Sequence, residues 1–549
     1  MGVISETGPN GPIEISYGKS GFKGLVEAPY LFFLSCFASI GGVLFGYDQG
    51  VISGVLVMNN FSQQFPLLAS NATLQGWMVS ILTLGAMFGA LLNGPIADSL
   101  SRRYSILLAN MIFLIGSIIQ AASVNLPMLF IGRFILGTAV GQLSMVVPLY
   151  ISEIAPPNLR GGLTALQQGG ITAGIMVSFW INYGTQYIGG TGEGQSPAAW
   201  RVPLALQCLF SLVLAVGTVW LPFSPRWLMM KDREDEALTT LSRIRRAPRT
   251  DRRVQTELLE IKALAVFERE TRSSLHPNIT SSVRLSYEAY KSLFVQRHLN
   301  RRLLIACLLQ LLQQFTGINA IIYYAPTIFK NIGLAGDSVN LLATGVVGII
   351  NFVCTAPAVL LIDSYGRKTL LLVGATGMGI AQLIVATIYA VYRDSWAAHQ
   401  GTAAGWAAAV FIWGYIAFFA FSIGCINWIL PSEIFPPGVR AKGVGVAIGV
   451  NWLSNFIVAL ITPRMLASIH FGTFYFFLAF CIILWLWVFF FVPETKNVRI
   501  EQMDEIFGGS QGEQDRVRMA AIRERLGLGG ALNGEDDGWN HVEVVKSDC

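Results

Sequence analysis

Two charged residues stand alone in long apolar stretches of this chain. Asp48 is the only Asp, Glu, Lys or Arg between Glu27 and Asp98, and Arg133 is the only one between Arg103 and Glu153. A charge in hydrocarbon is costly, so each one kept there calls for a function or a partner. Burial favours the protonated form of a carboxyl, whereas a guanidinium nearby favours the carboxylate. A separation that changes with conformation would let such a pair load and release a proton. The competing reading is a permanent structural ion pair.

A second set of residues is polar but uncharged. Gln310, Gln313, Gln314, Thr316, Asn319, Tyr323 and Tyr324 fall within one apolar stretch. Residues 313, 316, 320 and 324 share a helical face, with 310, 314 and 317 beside it. Amides in a membrane are expensive unless bonded. They both donate and accept, which suits a ligand rich in hydroxyls. Gln168, Asn351, Asn427 and Asn451 add to the supply, and Trp428 and Trp452 offer flat faces for the apolar side of a sugar ring. Helix–helix hydrogen bonding is the alternative use of the same groups.

The elements that position these residues follow from composition. The chain has 549 residues; 53% are apolar and only 13% charged, against about 25% charged in soluble domains. Glycine contributes 56 residues, which suits close packing of membrane helices. A membrane helix needs about 20 apolar residues. Twelve such spans are expected, near 30–57, 75–97, 104–123, 127–151, 163–187, 201–222, 302–328, 338–362, 369–392, 405–430, 441–462 and 470–492. The first 27 residues are polar and glycine-rich, unlike a signal peptide.

Basic residues set the orientation. Ser224 to Arg302 carries 17 Lys or Arg, and the short loops at Arg102–Arg103, Arg160, Arg367–Lys368 and Arg440–Lys442 fall on the same side. The opposite loops at 58–76 and 186–200 carry none. Both termini and the long loop are therefore expected in the cytoplasm. Asn71-Ala-Thr73 then faces outside as a glycosylation acceptor, and Asn278-Ile-Thr280 does not. The net charge of +5 reads as topology, not as nucleic-acid binding. No metal cluster or nucleophile–base pair stands out among the five histidines, so neither an enzyme nor a cofactor is expected.

The chain repeats itself. Ser152-Glu153-Ile154-Ala155-Pro156-Pro157-Asn158-Leu159-Arg160 echoes Ser432-Glu433-Ile434-Phe435-Pro436-Pro437-Gly438-Val439-Arg440, and Asp98 to Arg103 echoes Asp363 to Lys368. Two related six-span halves imply a transporter with its site between them near the midplane. The repeated charges Asp98, Arg102, Glu153, Arg160, Asp363, Arg367, Glu433 and Arg440 could bond across the halves as an inner clamp. Helix-end topology signalling alone is the other reading.

At this point the motifs resemble those of sugar porters of the major facilitator superfamily, and more narrowly fungal monosaccharide transporters. The match runs from about Tyr30 to Phe507. It rests on Gly46-Tyr47-Asp48, Gly132-Arg133-Phe134 with Gly137 and Gly141, and Pro148-x-Tyr150-x-x-Glu153 ahead of Arg160-Gly161. Ser224-Pro225-Arg226-Trp227-Leu228, Gln313 to Asn319, Asp363-x-x-Gly366-Arg367-Lys368 and Pro493-Glu494-Thr495-Lys496 complete it.

The resemblance implies the major facilitator fold, an all-α membrane protein of two pseudo-symmetric six-helix bundles with a small cytoplasmic helical bundle. The expected divisions are an N-terminal tail 1–29, a first bundle 30–223, linker helices 224–300, a second bundle 301–492 and a C-terminal tail 493–549. The tail is expected to be disordered beyond about Leu526. The resemblance also implies a ring of sugar contacts at Gln168, Gln313, Gln314, Asn319, Tyr323, Asn351, Trp428, Asn451 and Trp452, with Asp48 and Arg133 in proton coupling.

Departures from the pattern are equally specific. Ser99 and Ser101 stand where a basic residue and a glycine are usual, which predicts a looser inner clamp in the first half. Pro222-Phe223-Ser224-Pro225-Arg226 has Phe223 in place of an acid. Gly424-Cys425-Ile426-Asn427-Trp428 lacks a proline, which predicts a less sharp break in span 10. The expected protein is a plasma-membrane symporter, monomeric as a working unit, carrying a hexose or next a pentose inward with a proton. An uncoupled facilitator, a sugar sensor, and a porter for a disaccharide, polyol or quinate-like acid are the rivals.

Overall fold

The computed structural model describes residues 3–8, 11–16, 27–156, 159–192, 194–275, 282–334, 336–397, 402–436, 439–495, 507, 511–526 and 528. Span 1 comprises the helices Pro29–Ala38 and Ile40–Val55. Spans 2 to 6 are Ala72–Leu100, Arg102–Ala121, Leu126–Ile154, Arg160–Thr185 and Ala198–Thr218. Span 7 comprises Arg297–Phe315 and Ile318–Asn331, and spans 8 and 9 are Asp337–Tyr365 and Arg367–Ala397. Span 10 comprises Thr402–Phe421 and Ile423–Ile434, and spans 11 and 12 are Arg440–Ser468 and Gly472–Phe491. Several helices outrun the apolar stretches by a turn or more, because a helix can continue past the hydrocarbon into the interface.

Among the described residues, eleven helical segments are long and apolar enough to cross a membrane. Span 5 is the one that falls short. Gln167, Gln168, Thr172 and Asn182, with six glycines, dilute its apolar character. Polarity on this span is what a helix lining a cavity would show.

Glycines set the packing within each half. A Cβ added at Gly137 or Gly141 of span 4 would lie about 2 Å from the carbonyl oxygens of Leu82 and Ala86 on span 2. Only glycine lets those backbones approach so closely. The halves themselves meet along two seams, span 2 against span 11 and span 5 against span 8.

Spans 1, 7 and 10 are broken. In span 7 the break falls at Gly317, where φ is +96° and an added Cβ would meet the Phe477 ring at 2.7 Å. Pro326 and a non-helical Tyr324 bend the second segment again. Span 10 breaks at Ser422 (φ −120°, ψ −92°). The break lies three residues before Cys425, the position of the missing proline. Ser422 Oγ donates to Phe418 O at 2.5 Å, which occupies a carbonyl the break would otherwise free.

On one face of the bundle lie Pro225–Met230, Glu234–Arg245, Arg252–Leu275 and Ser282–Val295. These helices define the linker side of the bundle. A further helix, Gln511–Arg525, packs on Arg252–Leu275 through Ala263, Phe267, Ile522 and Leu528. The all-α expectation needs one amendment: an antiparallel hairpin pairs β1 (Val3–Gly8) with β2 (Gly11–Ser16). Both strands are rich in β-branched residues. Asn278, Thr280 and the tail beyond Leu528 lie outside the described residues.

Candidate transport site

The first half holds the lone charges. Asp48 and Arg133 are both buried, at 0% and 1% exposure. They are close enough for their charges to act on one another, yet they do not bond. Asp48 Oδ1 accepts from Gln207 Nε2 of span 6 at 3.3 Å. Arg133 Nε donates to Met78 O at 2.7 Å, and its Nη2 donates to Val79 O at 3.4 Å, both on span 2. Asp48 Oδ2 and Arg133 Nη1 face no protein partner. A direct structural ion pair is therefore not what this structure holds. The acid and the base are separately anchored, on different neighbouring spans.

The second half holds the amides, and they bond to one another. Asn427 Nδ2 donates to Gln310 Oε1 and to Gln313 Oε1, while Gln310 Nε2 donates to Asn427 O at 2.9 Å. Gln314 Nε2 donates to Asn451 Oδ1 at 2.8 Å, and Gln314 Oε1 accepts from Asn319 Nδ2 at 2.7 Å. Asn351 is buried on span 8 with its Oδ1 lacking a protein partner. The end of the first segment of span 7 points Gln313 at span 10 and Gln314 at span 11, and the break at Gly317 folds Asn319 back onto Gln314.

The halves close on the side away from the linker. Tyr323 Oη accepts from Gln49 Nε2 of span 1 at 3.1 Å and from Asn455 Nδ2 of span 11 at 3.3 Å. Trp452 is fully buried; its Nε1 donates to Ser144 Oγ of span 4 at 3.3 Å, and its ring lies 5.0 Å from Phe45. In this state Trp452 is thus a bridge between halves and offers no open face for stacking. Trp428 keeps part of its surface open. Gln168 is partly exposed on span 5, and no atom lies within 4 Å of a Cβ placed at Gly161, Gly162 or Gly169 of the same span. The halves are thus joined across spans 1, 4, 7 and 11 on the side away from the linker.

The expected inner clamp is two clamps, each within its own half. Arg102 binds Glu153 at 3.0 Å and Asp98 at 3.2 Å, with Arg102 and Glu153 almost fully buried. Arg367 binds Glu433 at 2.8 Å. Glu494 accepts from the backbone N–H groups of Arg367 and Lys368, at 2.9 and 3.0 Å. Thr495 Oγ1 donates to Glu433 Oε2 at 2.6 Å. The Asp363 side chain lies outside the described residues. Arg440 Nε donates to Phe435 O at 3.2 Å. Arg160 lies within electrostatic range of Arg226, Arg440, and Glu257 and Glu260 of the linker helix.

The first clamp is not looser for want of glycine. Ser101 adopts φ +94°, close to the +89° of Gly366 at the equivalent point of the second half. Its Oγ accepts from Tyr104 N at 3.4 Å, so it also caps span 3. Asn71 is exposed at the start of span 2, where its Oδ1 accepts from Thr73 N and Leu74 N at 3.0 and 3.2 Å. Its side-chain nitrogen is left for modification.

Many buried amides escaped the sequence reading, among them Gln49, Gln142, Gln167, Gln207 and Asn455. Gln49 adjoins Asp48 and Gln167 adjoins Gln168, so position beside a singled-out residue was the available signal.

Twelve spans in two related halves, shut at one end around buried polar groups, define a membrane transporter of the major facilitator fold. The chain belongs to the sugar porter family: the model described as "Sugar (and other) transporter" matches residues 34–507. A Neurospora crassa protein described as a probable glucose transporter, rco-3, is 36% identical over 491 residues, covering 86% of this chain and 78% of its own. A probable quinate permease of Aspergillus fumigatus is 34% identical and covers 87% of both chains. Among solved structures, the proton:xylose symporter XylE of E. coli, bound to 6-bromo-6-deoxy-D-glucose, is 29% identical with a TM-score of 0.69. That match covers 87% of this chain and 99% of the other.

Proposed function

We propose that this protein carries a monosaccharide into the cell together with a proton, by alternating access across the plasma membrane. Hexose is the first substrate and pentose the next. The observation that carries the coupling is the unbonded Asp48–Arg133 arrangement. A carboxylate held by one neutral amide, within reach of a cation anchored elsewhere, can change its protonation as that distance changes. The amide network around Gln313, Gln314, Asn319 and Asn451 supports a polyhydroxylated ligand. Entering hydroxyls would exchange amide–amide bonds for amide–sugar bonds at little net cost.

The functional unit is a monomer in the bilayer. Both termini and the linker helices face the cytoplasm, where the 17 basic residues of 224–302 belong. Asn71 then faces the exterior and carries a glycan. Arg160 and Arg440, beside acids of the linker helix, are placed to join the halves once the inner side closes.

The test is uptake of labelled glucose and xylose in transporter-null yeast, with and without a protonophore, for wild type and Asp48→Asn. Concentrative uptake lost on both treatments supports symport. Uptake that only equilibrates and ignores the protonophore makes the chain a facilitator. Labelled quinate belongs in the same panel, because of the permease relatives. A carboxylate substrate would need a midplane cation, and Arg133 is already tied to span 2.

A further inference from the structure

The linker-side end of span 6 meets the helix Glu234–Arg245 over a groove of about 250 Å³. Arg103 lines it from span 3 and Arg243 from the linker helix, with Trp220, Phe223, Thr239 and Thr240 between them. Phe223 occupies the position where the family pattern has an acid. Its ring lies beneath two guanidiniums, Arg103 at 5.1 Å and Arg233 at 5.9 Å from the centroid. Arg233 has a carboxylate partner, Glu236, at 2.5 Å. Arg103 has the Val219 carbonyl at 2.5 Å instead, and Arg243 is exposed. No Asp or Glu is among the described residues that line the groove.

The surface beside the groove is apolar and outward-facing. Val216, Val219 and Trp220 are 55%, 55% and 69% exposed. An exposed tryptophan at the end of an apolar span marks the headgroup level of a bilayer. Two cations without an acid, at headgroup depth and beside bare apolar surface, match an anion that carries acyl chains.

We propose that this groove binds the headgroup phosphate of an anionic glycerophospholipid. The phosphate lies between Arg103 and Arg243, and the acyl chains run along the exposed face of span 6. Thr240 is the hydroxyl placed to donate, because Thr239 donates to Asp235 O at 2.7 Å. The lipid supplies the negative charge that Phe223 does not, and it fastens the linker helix to the membrane surface.

The test is native mass spectrometry of the purified full-length protein, loaded with phosphatidylserine or phosphatidylcholine. Wild type should retain phosphatidylserine in preference. Arg243→Gln, at an exposed position, should lower that retention about fivefold. Phe223→Glu should lower it at least as much, by placing a carboxylate beside Arg103. Melting of the lipid-free variants shows that both remain folded. Equal retention of the two lipids, or retention unchanged in both variants, would overturn the proposal. Displacement of the lipid by millimolar inorganic phosphate would make this a soluble-phosphate site and overturn the lipid assignment.

Discussion

The first half of the bundle buries a carboxylate and a guanidinium that do not bond each other; the second half buries amides that do. Asp48 and Arg133 each keep one polar atom without a protein partner. Gln310, Gln313, Gln314, Asn319, Asn427 and Asn451 are joined in two short chains. Under the proposed function the difference is a division of labour. An unpaired charge responds to its environment, which suits proton binding. A network of neutral groups holds its geometry until a ligand offers equivalent bonds, which suits recognition. Related backbones thus serve two tasks through the side chains placed in them.

The most direct way to break this comparison is Asp48→Asn. Accumulation should vanish while equilibrative exchange of sugar persists, measured as the steady-state ratio of labelled glucose inside to outside. If sugar affinity fell and accumulation survived, the two tasks would be assigned to the wrong halves. Gln314→Ala should do the reverse. It strands Asn319 and Asn451, and should weaken half-saturation for sugar by roughly 10-fold or more, with protonophore sensitivity intact.

The clamps offer a smaller contrast. Glu153 and Arg102 are 6% and 5% exposed, whereas Glu433 and Arg367 are 25% and 11% exposed. Breaking a buried pair costs up to about 3–5 kcal/mol, less here because Asp98 still faces Arg102, whereas a more exposed pair is worth about 1 kcal/mol. Glu153→Gln should therefore lower the melting temperature in detergent well below that of Glu433→Gln. Ser101→Gly should raise it, by relieving about 1 kcal/mol of left-handed strain that Gly366 does not bear. Asn71→Gln should leave uptake unchanged and only remove the mass that a glycosidase releases from wild type.

Much of the fold was legible because charge is nearly absent from the spans. Arg102, Arg103, Arg367 and Lys368 punctuate the chain at the turns, so spans 2 and 3, and 8 and 9, separate cleanly. Span 5 was legible from its length without charge, although its own glutamines and glycines dilute its apolar character. Within the site, isolation in the sequence singled out Asp48 and Arg133. Their partners could not be read there. Gln207 lies 159 residues from Asp48, and Arg133 bonds to backbone carbonyls, which carry no side-chain signature. Trp452 was read as a stacking surface because ring type alone says nothing about which conformational state covers it. The clamp charges show a related limit: repeats place equal charges at equal helix ends, but only coordinates show that in this state the Arg102–Glu153 and Arg367–Glu433 bonds stay inside each half.

The helix Gln511–Arg525 rests on Arg252–Leu275, the segment that joins the two bundles, with Arg525 bound to Glu270 at 2.5 Å and Arg518 Nη1 donating to Thr271 Oγ1 at 3.1 Å. The polypeptide leaving the last span therefore returns to the strap between the halves and closes a mechanical loop. In such a linkage a rocking second bundle pulls on the strap from both ends. The restoring force then depends on a contact far from the candidate site, so the stiffness of such a linkage can be tuned at the chain's periphery while the buried polar groups stay as they are.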